Sequence, residues 1–316
     1  MGRSATILGV FAIAACSSNG ASNAPTHDAR FIAGFDPVAP QSGQMQILSP
    51  TIKAIPGGAD VTYCSYIPNP FGDKEVDVTD AVGFQSKFGH HAILLAPSGD
   101  QKTGDTHVCT DKDMNNARYL AGASDAAVNI KIPEGIAFRI KPGGVILVQS
   151  HWINTAAEAV DGQATFNLTL HAPDATRQPA QLFAIVGTQI DLKARQAGHL
   201  VTECTMKSPV QLFELGGHEH EWGSHVRIEK IIAGQPSMLY DQAWKPEFQS
   251  NPPFTHYEVK APLSFAAGDV LRLTCDWNNT TDQELTFPRE MCVGVGFNFP
   301  ATADITCVDG VWSNGQ

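Results

Sequence analysis

Apolar residues along most of this chain recur at every second position, the period of a half-buried strand rather than of a helix. "GIAFRI" alternates Ile136, Phe138 and Ile140, "KPGG" follows as a turn, and "VILVQSHWI" runs extended from Val145 to Ile153, which together predict a hairpin. "APLSFAAGDVLRLTCDW" repeats the design, with "AAGD" as the turn and Leu271, Leu273, Cys275 and Trp277 on one face of the return strand. Helical periodicity is scarce: "TDKDMNNARYLAGA", residues 110 to 123, is the one stretch that reads as a short helix. Strands punctuated by Gly and Pro predict an all-β protein of sandwich type. The best internal boundary is "HAPDATRQPAQ", residues 171 to 181, where two prolines and polar residues separate "ATFNLTL" from "LFAIVG". The expected domains are 45–176 and 177–316.

Composition adds size and excludes one class of partner. The 316 residues, 43% hydrophobic and 17% charged, are enough for two cores. A formal charge of −11 with no dense Lys/Arg cluster argues against nucleic acid. At the N-terminus, Arg3 precedes "ATILGVFAIAA", an apolar run whose 11 residues are too few to span a bilayer. Ile13-Ala14-Ala15-Cys16 resembles the lipobox of bacterial lipoproteins, which implies a signal peptide over 1–15 and lipidation of Cys16. Residues 16–44, rich in Ser, Asn, Ala, Pro and Gly, then read as a flexible tether. The alternative is a plain secretory signal, and in both cases the body is exported. The expected location is the periplasm or cell exterior, with membrane contact only through a lipid anchor. Export leaves six cysteines, at 64, 109, 204, 275, 292 and 307, where disulfides persist, with connectivity open.

The candidate chemistry lies in histidines. "KFGHHAILLAP" sets His90 beside His91 at the head of an apolar run, although a regular strand would turn the two rings to opposite faces. His151 follows on the strand 145–153, on the face of Leu147 and Gln149. "GGHEHEWGSHV" carries His218 and His220 two apart, a spacing that puts both rings on one side of a strand and suits a shared metal ion. The bland readings are strand-end histidines for the pair and a chance H-x-H. A zincin helix is excluded, because Trp222 stands where its second histidine would be.

The ordered set "FGHHAILLAP", "CTDK", "VQSHWIN", "GHEHEWGSHV" and "REMCVGVGFNFP" resembles the copper type II, ascorbate-dependent monooxygenases, the group of peptidylglycine α-hydroxylating monooxygenase and dopamine β-monooxygenase, over roughly residues 55 to 307. The resemblance implies two tandem antiparallel β-sandwich, jelly-roll-like domains with a copper in each. His90, His91 and His151 match the ligands of the electron-storing copper. His218, His220 and Met291 match those of the oxygen-binding copper. Imidazole suits copper, and the soft thioether favours Cu(I). Apart from the resemblance, Met291 is simply in phase with Val293, Val295, Phe297 and Phe299. The implied reaction is hydroxylation of a substrate C–H bond with dioxygen and ascorbate or a similar reductant. Gln149 matches a position near the storage copper. The implied disulfides are Cys275 with Cys292 and Cys204 with Cys307, leaving Cys64 and Cys109 that could pair with each other.

Departures bear on the substrate. Gly216, Val293 and Val295 stand where peptide-hydroxylating relatives hold a carboxylate, so a peptidylglycine is not expected and a small organic molecule is. Glu219 and Glu221 alternate with the ligands and are expected to have solvated or structural roles. His107, His171, His199, His225 and His256 match no ligand position. A non-catalytic exported copper carrier on the same scaffold is the alternative. A cupin-like metalloenzyme fails on motif order.

Overall fold

The computed structural model describes residues 27–97, 102–110, 112–113, 117–124, 128–249 and 252–313; the leader and Cys16 lie outside them. The described chain is all-β, as expected. In the N-terminal half a six-stranded sheet has Gln44–Leu48, Ala164–His171, Val76–Gln85, Ile136–Ile140 and Gln178–Pro179 in that order, with Val128–Lys131 added to Val76–Gln85. A five-stranded sheet faces it, ordered Thr106–Val108, Asp60–Pro68, Val145–Ile153, Gly89–Pro97 and Ala117–Ser124. Ile47, Val78, Phe138 and Phe166 from the first pack with Ala92, Leu94, Ile146 and Val148 from the second. The C-terminal half repeats the plan. Phe254–His256, Val210–His218, Cys292–Asn298, Gln181–Gly187, Ile305–Val308 and Val311–Ser313 form one sheet, with Leu263–Phe265 beside Val210–His218. The other is Ala197–Thr205, Val270–Asn278, Gly223–Ile232 and Gln235–Ala243. Leu271, Leu273, Cys275 and Trp277 all enter its core, as their alternation predicts.

Neither predicted hairpin forms, although all four strands do. Ile136–Ile140 pairs with Val76–Gln85 while Val145–Ile153 lies in the opposite sheet. Likewise Leu263–Phe265 pairs with Val210–His218 and Val270–Asn278 with the other sheet. "KPGG" and "AAGD" are therefore arches over the sandwich edge. Gly143 and Gly144, at φ +75° and +78°, supply left-handed backbone in the first arch. Of the stretch expected as a helix, residues 112–113 are helical and 111 and 114–116 lie outside the described residues, while its C-terminal part forms the strand Ala117–Ser124, which pairs with Gly89–Pro97 and buries Leu120. Tertiary pairing of an open sheet edge outweighs a weak helical period.

The segment expected as a tether is packed from residue 27 onward. Phe31 and Phe35 are buried, Ile32 N donates to Gln163 Oε1 at 3.0 Å, and Asn167 Nδ2 donates to Val38 O at 2.8 Å. Two aromatic side chains are enough to dock a stretch that composition reads as solvated. Three disulfides close the fold: Cys64–Cys109, Cys204–Cys307 and Cys275–Cys292.

The connection between the halves is built into the N-terminal sandwich. Gln178–Pro179 pairs in parallel with Ile136–Ala137, and the fully buried Asp77 accepts from Arg139 Nε at 2.7 Å and from Arg177 Nε at 3.1 Å. Phe297 of the C-terminal half meets Phe138 at 5.1 Å between ring centroids and stacks on Phe213 at 5.7 Å. Burial would raise the Asp77 carboxyl, but the hydrogen bonds from Arg139 and Arg177 outweigh it and hold it below the ordinary carboxylate range. A depressed folded-state value means stability that is present above the unfolded value of about 4 and is lost as pH falls through the folded one. Asp77→Asn should cost about 3 kcal/mol in urea unfolding at neutral pH, with both guanidinium groups left uncompensated. The gap between variant and wild type should close as pH falls below about 4.

Candidate metal centres

The histidine pair sits at a slip in strand register. On the pairing of Val145–Ile153 with Gly89–Pro97, His151 faces His91, yet the next residue, Trp152, faces Gly89, so His90 is the extra residue of a bulge. A bulge is what lets consecutive side chains turn to one side. Two neighbours hold it in place: Phe88 adopts φ +70°, and a Cβ on Gly89 would meet Gln85 Cβ at 2.4 Å, so only glycine fits there. Trp152, fully buried, anchors the far side of the slip.

His90, His91 and His151 consequently converge. Their rings lie 4.9 to 5.6 Å apart, and one ligand atom from each falls within 4.8 Å of the others, the one such group among the described residues. The hydrogen bonds decide which nitrogens face inward. His151 Nε2 lies 2.6 Å from Asp60 Oδ1, and a carboxylate only accepts, so Nε2 carries the proton and the Nδ1 lone pair faces His90 Nδ1 at 3.2 Å. A ligating histidine with its other nitrogen on a carboxylate is the common outer-shell arrangement of metal sites. Burial, and then the neighbouring imidazoles, hold His91 well below its ordinary value, leaving it neutral and able to bind a cation. Gln149 is buried two residues from His151.

His218 and His220 form the second group. The strand Val210–His218 ends at the first, and the rings lie 5.2 Å apart and nearly perpendicular. His220 Nδ1 is 3.0 Å from the carbonyl of Arg289, which can only accept, so Nε2 is left with the lone pair. Burial pushes His218 down to about 3, and burial likewise lowers His220, so both are neutral at pH 7. Met291, partly buried, directly precedes the strand Cys292–Asn298, in which Val293 pairs with His218. The Cys275–Cys292 disulfide ties down its C-terminal neighbour.

Two buried carboxylates lie at this end, Glu290, which sequence reasoning did not single out, and Glu219, which it did. Glu290, fully buried, accepts from His220 N at 3.2 Å and Trp222 N at 3.0 Å, binding the turn after H-x-H to the loop that carries Met291. Glu219 is also fully buried, not solvated; burial first and the Glu290 carboxylate second push it up to about 10, so it is protonated at neutral pH. Glu221, by contrast, is exposed, as expected. The two histidine groups approach across the domain contact. Asp60, which holds His151, lies 3.9 Å from Arg289, whose carbonyl holds His220. Among the remaining histidines, His107, His199, His225 and His256 pair with Asp113, Asp276, Asp241 and Glu214.

The comparisons bear on the second group. Residues 181–314 match the family model described as copper type II ascorbate-dependent monooxygenase, C-terminal domain. No curated protein matches the chain. Among solved structures, the major capsid protein P2 from bacteriophage PM2 is similar at 11% identity and TM-score 0.37, with 86% of this chain and 99% of that one covered. PBCV-1 VP54 is similar at 10% identity and TM-score 0.34, covering 84% of this chain and 96% of that one.

Replacing Glu290 by Gln keeps the volume but leaves one oxygen for two backbone donors and turns an NH2 toward the other. The expected loss is about 1–3 kcal/mol of stability in urea unfolding, the cost of an unsatisfied buried group. A variant as stable as the wild type would show that the turn holds itself.

Proposed function

We propose, on the premise that residues 181–314 are the C-terminal domain of a copper type II, ascorbate-dependent monooxygenase, that the protein hydroxylates a C–H bond of a small organic substrate with dioxygen and an ascorbate-like reductant. His90, His91 and His151 would hold one copper, and His218, His220 and Met291 a second. Copper supplies the one-electron chemistry and the activation of dioxygen. The chain's own residues do the rest. Asp60 and the Arg289 carbonyl select the histidine nitrogens that face each centre, burial keeps His91, His218 and His220 unprotonated, and Glu290 with the Cys275–Cys292 bridge fixes Met291 relative to H-x-H.

One observation carries the reading: residues from both halves, far apart in sequence, converge as two sets of imidazoles facing one domain contact. Three imidazoles, and two with a thioether, are donor sets suited to copper. The exported location read from the leader, with Cys16 as a lipid anchor, is part of the proposal and agrees with a fold closed by three disulfides. The absence of a carboxylate-holding side chain at Gly216 favours the second reading, a copper carrier without turnover, and oxygen uptake across a substrate panel separates the two.

His151→Ala should reduce bound copper from two per chain to one and abolish turnover while the fold persists, because the sites lie in different sandwiches. Copper analysis with ascorbate-driven oxygen uptake reads this; two coppers and normal uptake in the variant would sink the assignment. Met291→Ile fills a similar volume without sulfur and should fold, keep the three-histidine copper and lose Cu(I) affinity at the other site. X-ray absorption on the Cu(I) form should show a copper–sulfur shell in the wild type that is missing from the variant.

A further inference from the structure

We infer that the substrate is a small uncharged molecule whose apolar body lies on the sheet face running away from His218. The inference rests on the reading of His218, His220 and Met291 as the oxygen-reacting centre, and it names what that centre acts on. Paired residues on neighbouring antiparallel strands project from the same face, and the face repeats every second residue. His218 pairs with Val293, and Val293 with Val186. In the next row Gly216 pairs with Val295 and Phe254, and Val295 with Ala184. Apart from His218 itself, the residues of both rows on the strands Phe254–His256, Val210–His218, Cys292–Asn298 and Gln181–Gly187 are glycine, aliphatic or aromatic, and polar side chains enter the second row only at Thr306 and Ser313, beyond Ala184. Val186, Val293, Val295 and Phe254 are each partly exposed, unlike the core on the other side of the sheet.

The third row closes the strip. Phe297 packs on Phe138 of the N-terminal half at 5.1 Å, four residues from Val293, or about 13 Å along the strand. The space beside His218 therefore suits one or two rings rather than a polymer. The first charges on this face, Glu214 and His256, stand in that third row and lie 3.0 Å from each other. Gly216 cannot acquire an anchoring side chain without rebuilding, because a Cβ there would meet Phe254 Cδ1 at 2.7 Å and Pro253 O at 2.9 Å. An ionic substrate laid on these two rows would lose hydration and gain no charged partner within them. An apolar one gains about 25 cal/mol for each Å² it buries.

The test uses the Cu(I)-loaded protein under anaerobic conditions with valine methyls labelled for NMR, so that binding is read without turnover. Ethylbenzene is the apolar probe and phenylacetate the charged one. Ethylbenzene should shift the methyl signals of Val186, Val293 and Val295, and phenylacetate should bind at least tenfold more weakly. Val295→Lys should reverse that order by strengthening phenylacetate and weakening ethylbenzene, each about tenfold. The wild-type titration stands by itself if that variant does not fold. Tighter binding of phenylacetate by the wild type, ethylbenzene shifts confined to other methyls, or no shift with either probe would each overturn the inference. X-ray absorption on the same samples keeps the two readings apart. A copper–sulfur shell with silent strip methyls defeats the substrate class alone, whereas responsive methyls without the shell defeat the assignment of the centre.

Discussion

A regular strand cannot offer two consecutive side chains to one point, and the N-terminal site depends on breaking that rule once. The slip between His151 and Trp152 makes His90 an extra residue, and the convergence of three rings follows from it. The break is expensive in local terms: a non-glycine residue at positive φ and a glycine pressed against Gln85. It is sustained because Val145–Ile153, against which the bulge forms, is paired without a break to Asp60–Pro68 on its other side, His151 lying between Thr62 and His91. The irregularity is thus held against one regularly paired strand.

The second centre is organised differently. Its histidines leave the end of a strand, where alternation already places them on one side, and the difficulty is to hold the loop that carries Met291. A buried carboxylate and a disulfide on either side of that methionine answer it, with Glu290 gripping two backbone N–H groups and Cys292 bonded to Cys275. In both groups the residue that orients a histidine comes from a different strand or loop, so the geometry of the histidines depends on tertiary packing.

That dependence explains what the sequence could reveal. Strand alternation is a local property, and Leu271, Leu273, Cys275 and Trp277 were legible as one buried face from their spacing alone. His90, His91 and His151 were named from separate motifs, and the structure brings those three together. The arches were not, because turn residues mark where a chain reverses but carry no information about which sheet receives the next strand. Asp60 and Glu290 were equally silent, as single carboxylates 91 and 70 positions from the histidines they hold. The docking of residues 27 to 43 was hidden by a polar composition in which two phenylalanines do the packing.

The clamped connection between the sandwiches has a consequence for how such a protein can diversify. Because Arg177 and the strand Gln178–Pro179 belong structurally to the first sandwich, the second is joined to it with almost no slack. The distance between the two sets of donors is then a property of the scaffold, inherited whole, like the gap between the jaws of a fixed gauge. Substitutions along Val186, Val293, Val295 and Phe254 can reshape that sheet face without resetting this distance, which leaves the face free to change while the spacing of the two histidine groups stays constant.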